Sequence, residues 1–563
     1  MTVYYILMLL ILGLAYPLCI KNPSQKKNTL YVCTVFGYML VMSVLRYGIG
    51  NDYFNYRRYL YGMTDNDLTF SQTMDTFGIE PGYVLLMKLT QLLGGDYFIL
   101  NLITAVLILV PTAYVILRHS KIPWISAWLY LTVTFFYNSL NFTRQSLSVA
   151  VIFLGWRFFR DKNHIGAVIT VLLASMFHVS ALVLIPVYFM SLIKPSAKSL
   201  GIIGGGALLC FIFSNQILSF VTTYLLPNYA KYMDTIYLKK GLSPVFLIIP
   251  AILLILTLTA YFHGWHSHSS EAPMLTNFIF YNFLIWLFII KHFIIERFSM
   301  PVYIFILLSV PELLEYSKTI RLTEKVKGSH AKPSEQSRLS VYLKNGKRIY
   351  PMSAAFIITI TFIYNQYCAM DGVHGVFPYR SITMPAGEVT KAKYRDNYRE
   401  LFVNAEFLEF LGLANGGNYT VLLCVNGGTG DKLELPYQWH LKRLGFETDL
   451  TSLDGQSYMG LVSGGKAVFE KTSPDVIEET FSLYGGKLAV SAISGGNTAS
   501  LQKAGTLIDR KEYMPDSYGL NFAVFDNEQK KIVAAQGYDI SDFNYTYHNS
   551  SAFYGEILEG AVS

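Results

Sequence analysis

Residues 98–117 read FILNLITAVLILVPTAYVIL, a run without one charged side chain. A hydrocarbon core of about 30 Å needs roughly 20 apolar residues in helical form. The run is therefore predicted to cross a membrane. Further apolar runs lie at roughly 2–20, 29–45, 123–138, 146–159, 164–177, 179–193, 199–222, 244–262, 274–291, 297–316 and 352–367. The run Gly82 to Gly95 is shorter and follows Glu80-Pro81, which predicts a partial or interfacial helix. The first run has no basic residue before it and no small-x-small site near Cys19, so a retained helix is expected rather than a cleaved signal. The fold class that follows is a polytopic α-helical membrane protein of about 12 transmembrane helices, with a soluble α/β or α+β domain after it.

Composition agrees. The 563 residues are 52% hydrophobic and 15% charged, well below the about 25% charge of soluble chains. That balance excludes a disordered chain, a collagen, a coiled coil and a small disulfide scaffold. The formal charge of +7 hides two opposite parts. Up to Tyr367 there are 29 Lys and Arg against 14 Asp and Glu; after it there are 16 against 24. The expected division is a membrane body over 1–367, with a basic cytoplasmic loop at 317–351, and an acidic extracytoplasmic domain over 368–563.

Lys and Arg in short loops set orientation. One threading keeps Lys21 to Lys27, Arg118 to Lys121, Arg157 to Lys162, Lys194 to Lys198 and Lys318 to Arg348 inside. Arg46 to Glu80, Asn138 to Arg144, His178, Thr222 to Gly241 and Lys291 to Arg297 then lie outside, as do both termini. The polar residues at membrane depth thus gather on one side. Ionisable groups there are costly and mark functional sites.

Five groups stand out. Arg46-Tyr47-Gly48-Ile49-Gly50-Asn51-Asp52-Tyr53-Phe54-Asn55-Tyr56 offers a glycine turn with exposed N–H groups, a guanidinium that can grip phosphate, and in Asp52 a carboxylate base or a metal ligand. The plain alternative for Arg46 is an arginine snorkelling to headgroups. Glu80-Pro81-Gly82-Tyr83 adds a second carboxylate, which either suits a helix start or shares acid and base roles with Asp52. Asn138, Asn141, Arg144 and Gln145 are expensive in a membrane unless they line a wet cavity, with loop polarity as the plain reading. His178 breaks an apolar stretch too long for one span, and is either a core histidine or a base. Arg297 is a third outer arginine, beside Glu296, with which it can form a local ion pair.

Other signals carry less. His263-Gly264-Trp265-His266-Ser267-His268 lacks a carboxylate or cysteine at ligand spacing, and no metal site is expected. The cysteines Cys19, Cys33, Cys210, Cys368 and Cys424 form no C-x-x-C pair. No Walker loop, nucleophile elbow or dinucleotide fingerprint occurs, which argues against an ATP-driven pump; no cofactor and no nucleic-acid partner are expected.

The series Arg46-x-Gly-x-Gly-x-Asp52-Tyr53-x-x-Tyr56, Glu80-x-Gly82-Tyr83, Arg144-Gln145, Phe177-His178-x-Ser180 and Arg297, in that order, resembles the EpsG family of Wzy-like polymerases of exopolysaccharide and capsule. The likeness covers about residues 1–316. It implies a polymerase in the bacterial cytoplasmic membrane, acting at its outer face on undecaprenyl-diphosphate-linked oligosaccharide. Asp52, Glu80 and His178 would then serve in catalysis, and Arg46, Arg144 and Arg297 would hold the diphosphate. Tyr53, Tyr56, Tyr83, Asn141 and Gln145 would line the substrate. Chain-length regulators or flippases are the protein partners implied. A transporter or flippase for the same lipid, and a membrane O-acyltransferase using His178, are the alternatives. The outer-face clustering favours the polymerase over both.

In the tail, a helix is predicted near 395–415, a strand at Tyr419 to Val425 and a helix from Leu435 to Leu444 stopped by Gly445. Strands are predicted at Tyr484 to Ile493 and Leu520 to Phe525, and Asp526-Asn527 is expected to turn into Lys531 to Gln536. Leu488 to Ser500, Gly519 to Asp526 and Gly537-Tyr538-Asp539 are similar to the interleukin-like EMT-inducer (GG-type) domain, in a permuted order. That likeness implies carbohydrate binding, against a purely structural stem.

Overall fold

The computed structural model describes residues 2–65, 67–220, 243–319, 335–370, 375–377, 379, 381–382, 402, 407–415, 418–428, 433–508, 510–541, 545 and 547–549. Among the described residues six helices are long and apolar enough to cross a membrane: Thr2–Ile20, Gln25–Leu45, Tyr97–His119, Pro244–His268, Ala272–Ile289 and Ile349–Met370. A seventh crossing comes from Phe293–Tyr303 and Ile306–Ser317, bent by 54°. The protein is a membrane protein with a helical body.

Local chemistry sets the ends of these helices. Ser24 caps Gln25–Leu45 by accepting from the Lys27 N–H. Asp96 Oδ1 accepts from the N–H groups of Phe98 and Ile99 at 2.9 and 3.2 Å, starting the helix that contains 98–117. Arg118 and His119 close that helix, where cations complement its dipole. Exposed Leu9, Ile165, Leu172, Ile202, Ile255 and Ile363 give the body its apolar outer surface.

The count of about twelve spans is not reached by single helices. The runs expected at 123–138, 146–159, 164–177, 179–193 and 199–222 fall on shorter pieces: Pro123–Thr132, Phe135–Asn141, Thr143–Leu154, His164–Ser175, Val179–Val183 with Leu184–Ser191, and Ala197–Ile212. A twelve-residue helix is only about 18 Å long. Polar backbone breaks cause the shortening. Thr134 is left-handed at φ 76°, Phe142 leaves helical geometry at φ −86°, ψ 60°, and His178 is extended at φ −158°. The run after Glu80 is also short, as expected, a helix over Pro81–Leu92. The loop expected outside at Thr222 to Gly241 and residues 320–334 of the basic loop expected at 317–351 lie outside the described residues; from Glu335 the loop is instead helical and runs on to Met370.

After the last long helix the chain lies back over the C-terminal end of Gln25–Leu45. Gly375 O accepts from Gly50 N–H at 2.9 Å and Ile382 N–H donates to Leu45 O at 2.9 Å. Ser381 pairs with Arg46 in an isolated antiparallel bridge, and the Tyr379 hydroxyl donates to Met42 O at 2.7 Å.

Among the described residues the C-terminal domain contains a ten-stranded sheet system. Its strands are β1 Tyr419–Gly427, β2 Ser457–Ser463, β3 Lys466–Ser473, β4 Ile477–Leu483, β5 Leu488–Gly496, β6 Ala504–Ile508, β7 Lys511–Glu512, β8 Gly519–Asp526, β9 Lys531–Asp539 and β10 Tyr547–Asn549. The order is β10-β9-β8-β1-β5-β6-β7, with β2 joining β1 to β3 and β4 joining β5. Strand β1 is the hinge of this arrangement. It runs antiparallel to β2 and β8 and parallel to β5 only at Asn426 and Gly427. Its side chains alternate between two cores, as the strand period requires. Val421, Leu423 and Val425 meet the helices Phe407–Asn415 and Leu435–Leu444, whereas Leu422 and Cys424 meet Val490, Ala492 and Ile508.

The tail expectations fare unevenly. The strand from Tyr419, the helix stopped by Gly445 at φ 112°, and β8 turning into β9 are as read. The helix expected over 395–415 is seen as Phe407–Asn415, while 395–401 and 403–406 lie outside the described residues. The strand expected from Tyr484 begins at Leu488, because Tyr484, Gly485 and Gly486 take positive φ and turn β4 into β5.

Candidate functional site

The site grows from the C-terminal end of Gln25–Leu45. Arg46 is 3% exposed; it donates to Ser139 O at 3.2 Å and to Thr143 Oγ1 at 3.4 Å. Its guanidinium therefore binds the broken segment that holds Asn138 to Gln145. Gly50 follows at φ 92°, and a Cβ there would sit 2.6 Å from Leu140 O. Only glycine allows the turn to press so close. Asn141 Oδ1 accepts from Asp52 N–H at 3.0 Å, so the turn and the broken helix fix each other.

Asp52 ends this turn at the start of the helix Tyr53–Asp65. Burial pushes its carboxyl above the usual range, against the opposing pull of Asn55, Arg144 and Arg297. Tyr53, Tyr56 and Tyr83 are 6%, 4% and 1% exposed and pack in an aromatic cluster, with Tyr53 against Tyr97 and Tyr56 against Tyr83. The Tyr56 hydroxyl also lies close enough to Arg144 to feel its charge.

Arg144 pairs with Glu80 at 2.5 Å, and both side chains are about one-fifth exposed, at 20% and 19%. The other Glu80 oxygen accepts from Val179 N–H at 3.3 Å. Gly82 N–H donates to Met176 O at 2.7 Å, and a Cβ on Gly82 would strike that oxygen. The Glu80-Pro81-Gly82 corner thus docks on the break at His178. His178 caps the short turn Val179–Val183, its Nδ1 accepting from Ser180 N–H at 3.2 Å. It lies between the flanking helices, and burial, with Arg144 and Arg297 adding repulsion, pushes its imidazole well below the ordinary value. The ring is neutral, and with Nδ1 accepting, its proton belongs on Nε2.

Gln145 Nε2 donates to Arg297 O at 2.5 Å and lies 3.4 Å from Ser180 Oγ. It joins the last motif to the histidine break. The Arg297 side chain is exposed, and its charge reaches both Asp52 and His178. Asp52, Glu80, Arg144, Gln145, His178 and Arg297 therefore come from five separated stretches to one place. Arg46 and Asn141 form its buried support. The three histidines at 263, 266 and 268 each hold a backbone carbonyl of their own helix region.

A model of the EpsG family matches residues 29–326. The chain belongs to the EpsG family. No curated protein and no solved structure matches it. The EpsG match contains every one of the five motifs and stops before the sheet domain. Membership is consistent with a polysaccharide polymerase.

Sequence reasoning missed the residues that tie this EpsG-family body to its tail. Arg57 is 2% exposed, and its Nε lies 3.0 Å from both carboxylate oxygens of Glu434, itself 5% exposed. Tyr61 donates a short hydrogen bond to the same carboxylate, and the hydroxyls of Tyr47 and Tyr437 form another. The available signal was local: Tyr53, Arg57 and Tyr61 fall on one face at a spacing of four.

Proposed function

We propose that this EpsG-family chain polymerises undecaprenyl-diphosphate-linked oligosaccharide units at the outer face of the bacterial cytoplasmic membrane, with both termini outside. The carrying observation is the convergence of Asp52, Arg144, His178 and Arg297, from distant stretches, beside the Glu80 corner. In the reaction a hydroxyl of the incoming unit attacks the anomeric carbon of the growing chain. The bond from that carbon to the diphosphate oxygen breaks, and the lipid diphosphate leaves with the electron pair. The donor carries its own activation, so no nucleotide is required.

The surroundings of each group divide the roles. Glu80 is occupied at both oxygens, by Arg144 and by Val179 N–H, and serves as an organiser. His178 presents Nε2–H and suits donation to a phosphate oxygen rather than proton removal. Asp52 remains as the base that takes the hydroxyl proton. Arg144 and exposed Arg297 stabilise the leaving diphosphate, the largest charge developed in the step. Arg46, bonded to Ser139 and Thr143, supports the turn from below.

We assign the tail as a permuted interleukin-like EMT-inducer domain that binds the carbohydrate product. The similar segments on β5, β8 and β9 support this, since β8 and β9 pair directly and β5 shares β1 with β8. Chain-length regulators or flippases are its expected protein partners. Purified full-length protein in liposomes, given intact lipid-linked repeat units, should yield a ladder of products. No ladder from verified substrate would overturn the assignment.

A further inference from the structure

The tail meets the body at the segment that carries Asp52, and it does so by two independent contacts. One is the backbone return near residue 380. There Gly375 O receives Gly50 N–H at 2.9 Å, Ile382 N–H reaches Leu45 O at 2.9 Å, and Ser381 pairs with Arg46. A Cβ on Gly375 would lie 2.3 Å from Asn51 Oδ1, so the return is pressed onto the turn itself. The same piece is held by the sheet domain, because His440 Nε2 bonds Ile382 O at 2.5 Å.

The second contact lies one helical turn beyond Asp52. Glu434 precedes the helix Leu435–Leu444 but makes no side-chain cap there. Its carboxylate instead receives Arg57 Nε at 3.0 Å and the Tyr61 hydroxyl. The Arg57 guanidinium also lies 4.7 Å from the centre of the Tyr545 ring, and Tyr545 OH accepts from Glu434 N–H at 3.2 Å. Tyr47, two residues before Ile49, packs against both the tail core and the outer-helix core. Charges so deeply buried are tolerated only when paired, and removing one partner leaves the other stranded. The contact therefore has one geometry. From Arg57 the helix leads back to Tyr56, which neighbours Arg144, and to Asp52.

We propose that the C-terminal domain is a working part of the polymerase site: through Glu434 on Arg57, and through the return that pairs with Arg46 and Gly50, it holds the Arg46–Asp65 segment so that Asp52 meets the acceptor hydroxyl. Glu434 is a positioning residue that acts through Arg57. The inference rests on the polymerase reading above, and adds to it that the tail, which lies beyond the family match, sets catalytic geometry. Misplacement of a reacting group by about 1 Å can cost on the order of a hundredfold in rate.

The experiment uses the full-length chain in liposomes with lipid-linked repeat units, and compares Glu434→Gln with the paired change Arg57→Met and Glu434→Leu. The paired change replaces the ion pair by apolar contact and guards against a variant that does not fold. Turnover, the apparent KM and backbone hydrogen exchange over residues 46–65 are measured together. Glu434→Gln should lower kcat about tenfold or more, leave KM within about twofold, and speed exchange in that segment. The paired change should restore both kcat and protection to within about threefold of the native chain. Faster exchange with native kcat in Glu434→Gln overturns the inference and leaves the polymerase reading standing; so do unchanged exchange and unchanged kcat. If the native chain makes no polymer, the polymerase reading fails separately, and unchanged exchange would then also remove the positioning role.

Discussion

The membrane body and the sheet domain bury their polar groups for different ends. In the body, Arg46, Asn138, Asn141, Ser146 and Ser148 are all 5% exposed or less, and each keeps a buried polar atom without a protein partner. All five lie on or beside the breaks at Thr134 and Phe142. In the sheet domain Thr506, Ser517 and His440 also keep a buried polar atom without a protein partner, but they stand on separate elements, and other buried polar groups are spent on geometry. Ser494 Oγ, for example, accepts from Val425 N–H and shares its one proton between Val425 O and Tyr458 O, stitching β5 to β1 and β2. An unsatisfied buried polar atom costs about 1–3 kcal/mol. What sets the body apart is that five such residues gather around one pair of backbone breaks, which stability alone does not favour.

The contrast can be broken most directly at Asp52. Asp52→Asn should lower polymer formation by about 10²–10⁴-fold while membrane insertion and thermal stability stay native. Retained activity would make the outer cluster a structural feature like those of the tail. The opposite behaviour is expected of Leu423, which is fully buried in β1. Leu423→Ala should cost about 2–5 kcal/mol of domain stability, read by thermal or denaturant unfolding of the intact chain. A change under about 1 kcal/mol would show that the sheet core is loosely packed.

Gly50 tests the boundary between the two behaviours. With φ at 92° and a Cβ only 2.6 Å from Leu140 O, Gly50→Ala strains the turn by about 1–2 kcal/mol before any clash is counted. Polymer formation should fall about tenfold with the sheet domain unaffected in its unfolding. Native activity in that variant would mean that the close approach of turn and broken helix is dispensable.

The smallest effect concerns pH. Burial raises the Asp52 carboxyl, so the acid limb of the rate profile should lie above the about 3.9 of an ordinary aspartate. The sign follows from its role: a base works ionised, and activity therefore rises as pH climbs through that pKa. Arg297 favours the ionised form, so Arg297→Gln should move the limb to higher pH, besides lowering the plateau. A limb that stays put, or moves down, would remove Asp52 as the base or Arg297 as its neighbour.

Much of this was legible in the residues. Seven of the apolar runs, including 98–117, coincide with the long helices or the bent pair, because about 20 apolar residues have few other stable uses. The five motifs were visible in order, and so was the break at His178. The shortening of the runs between 123 and 193 was not, since it turns on backbone angles at Thr134 and Phe142 that apolar composition does not reveal. Nor was the division between Glu80 and Asp52. Both are outer-face carboxylates in the sequence; only the fold gives one of them Arg144 and Val179 N–H.

The sequence by itself determined what is expensive in this protein: which runs need lipid, which charges cannot lie idle at its edge, and that an acidic domain follows a basic body. Those conclusions rest on local transfer free energies, which belong to each residue wherever it goes. Only the tertiary structure decided who meets whom. Arg57 and Glu434 stand 377 residues apart, and nothing in either neighbourhood names the other. Their pairing exists because a domain beyond the last span folds back onto the turn after Arg46, and a buried charge must find its partner there.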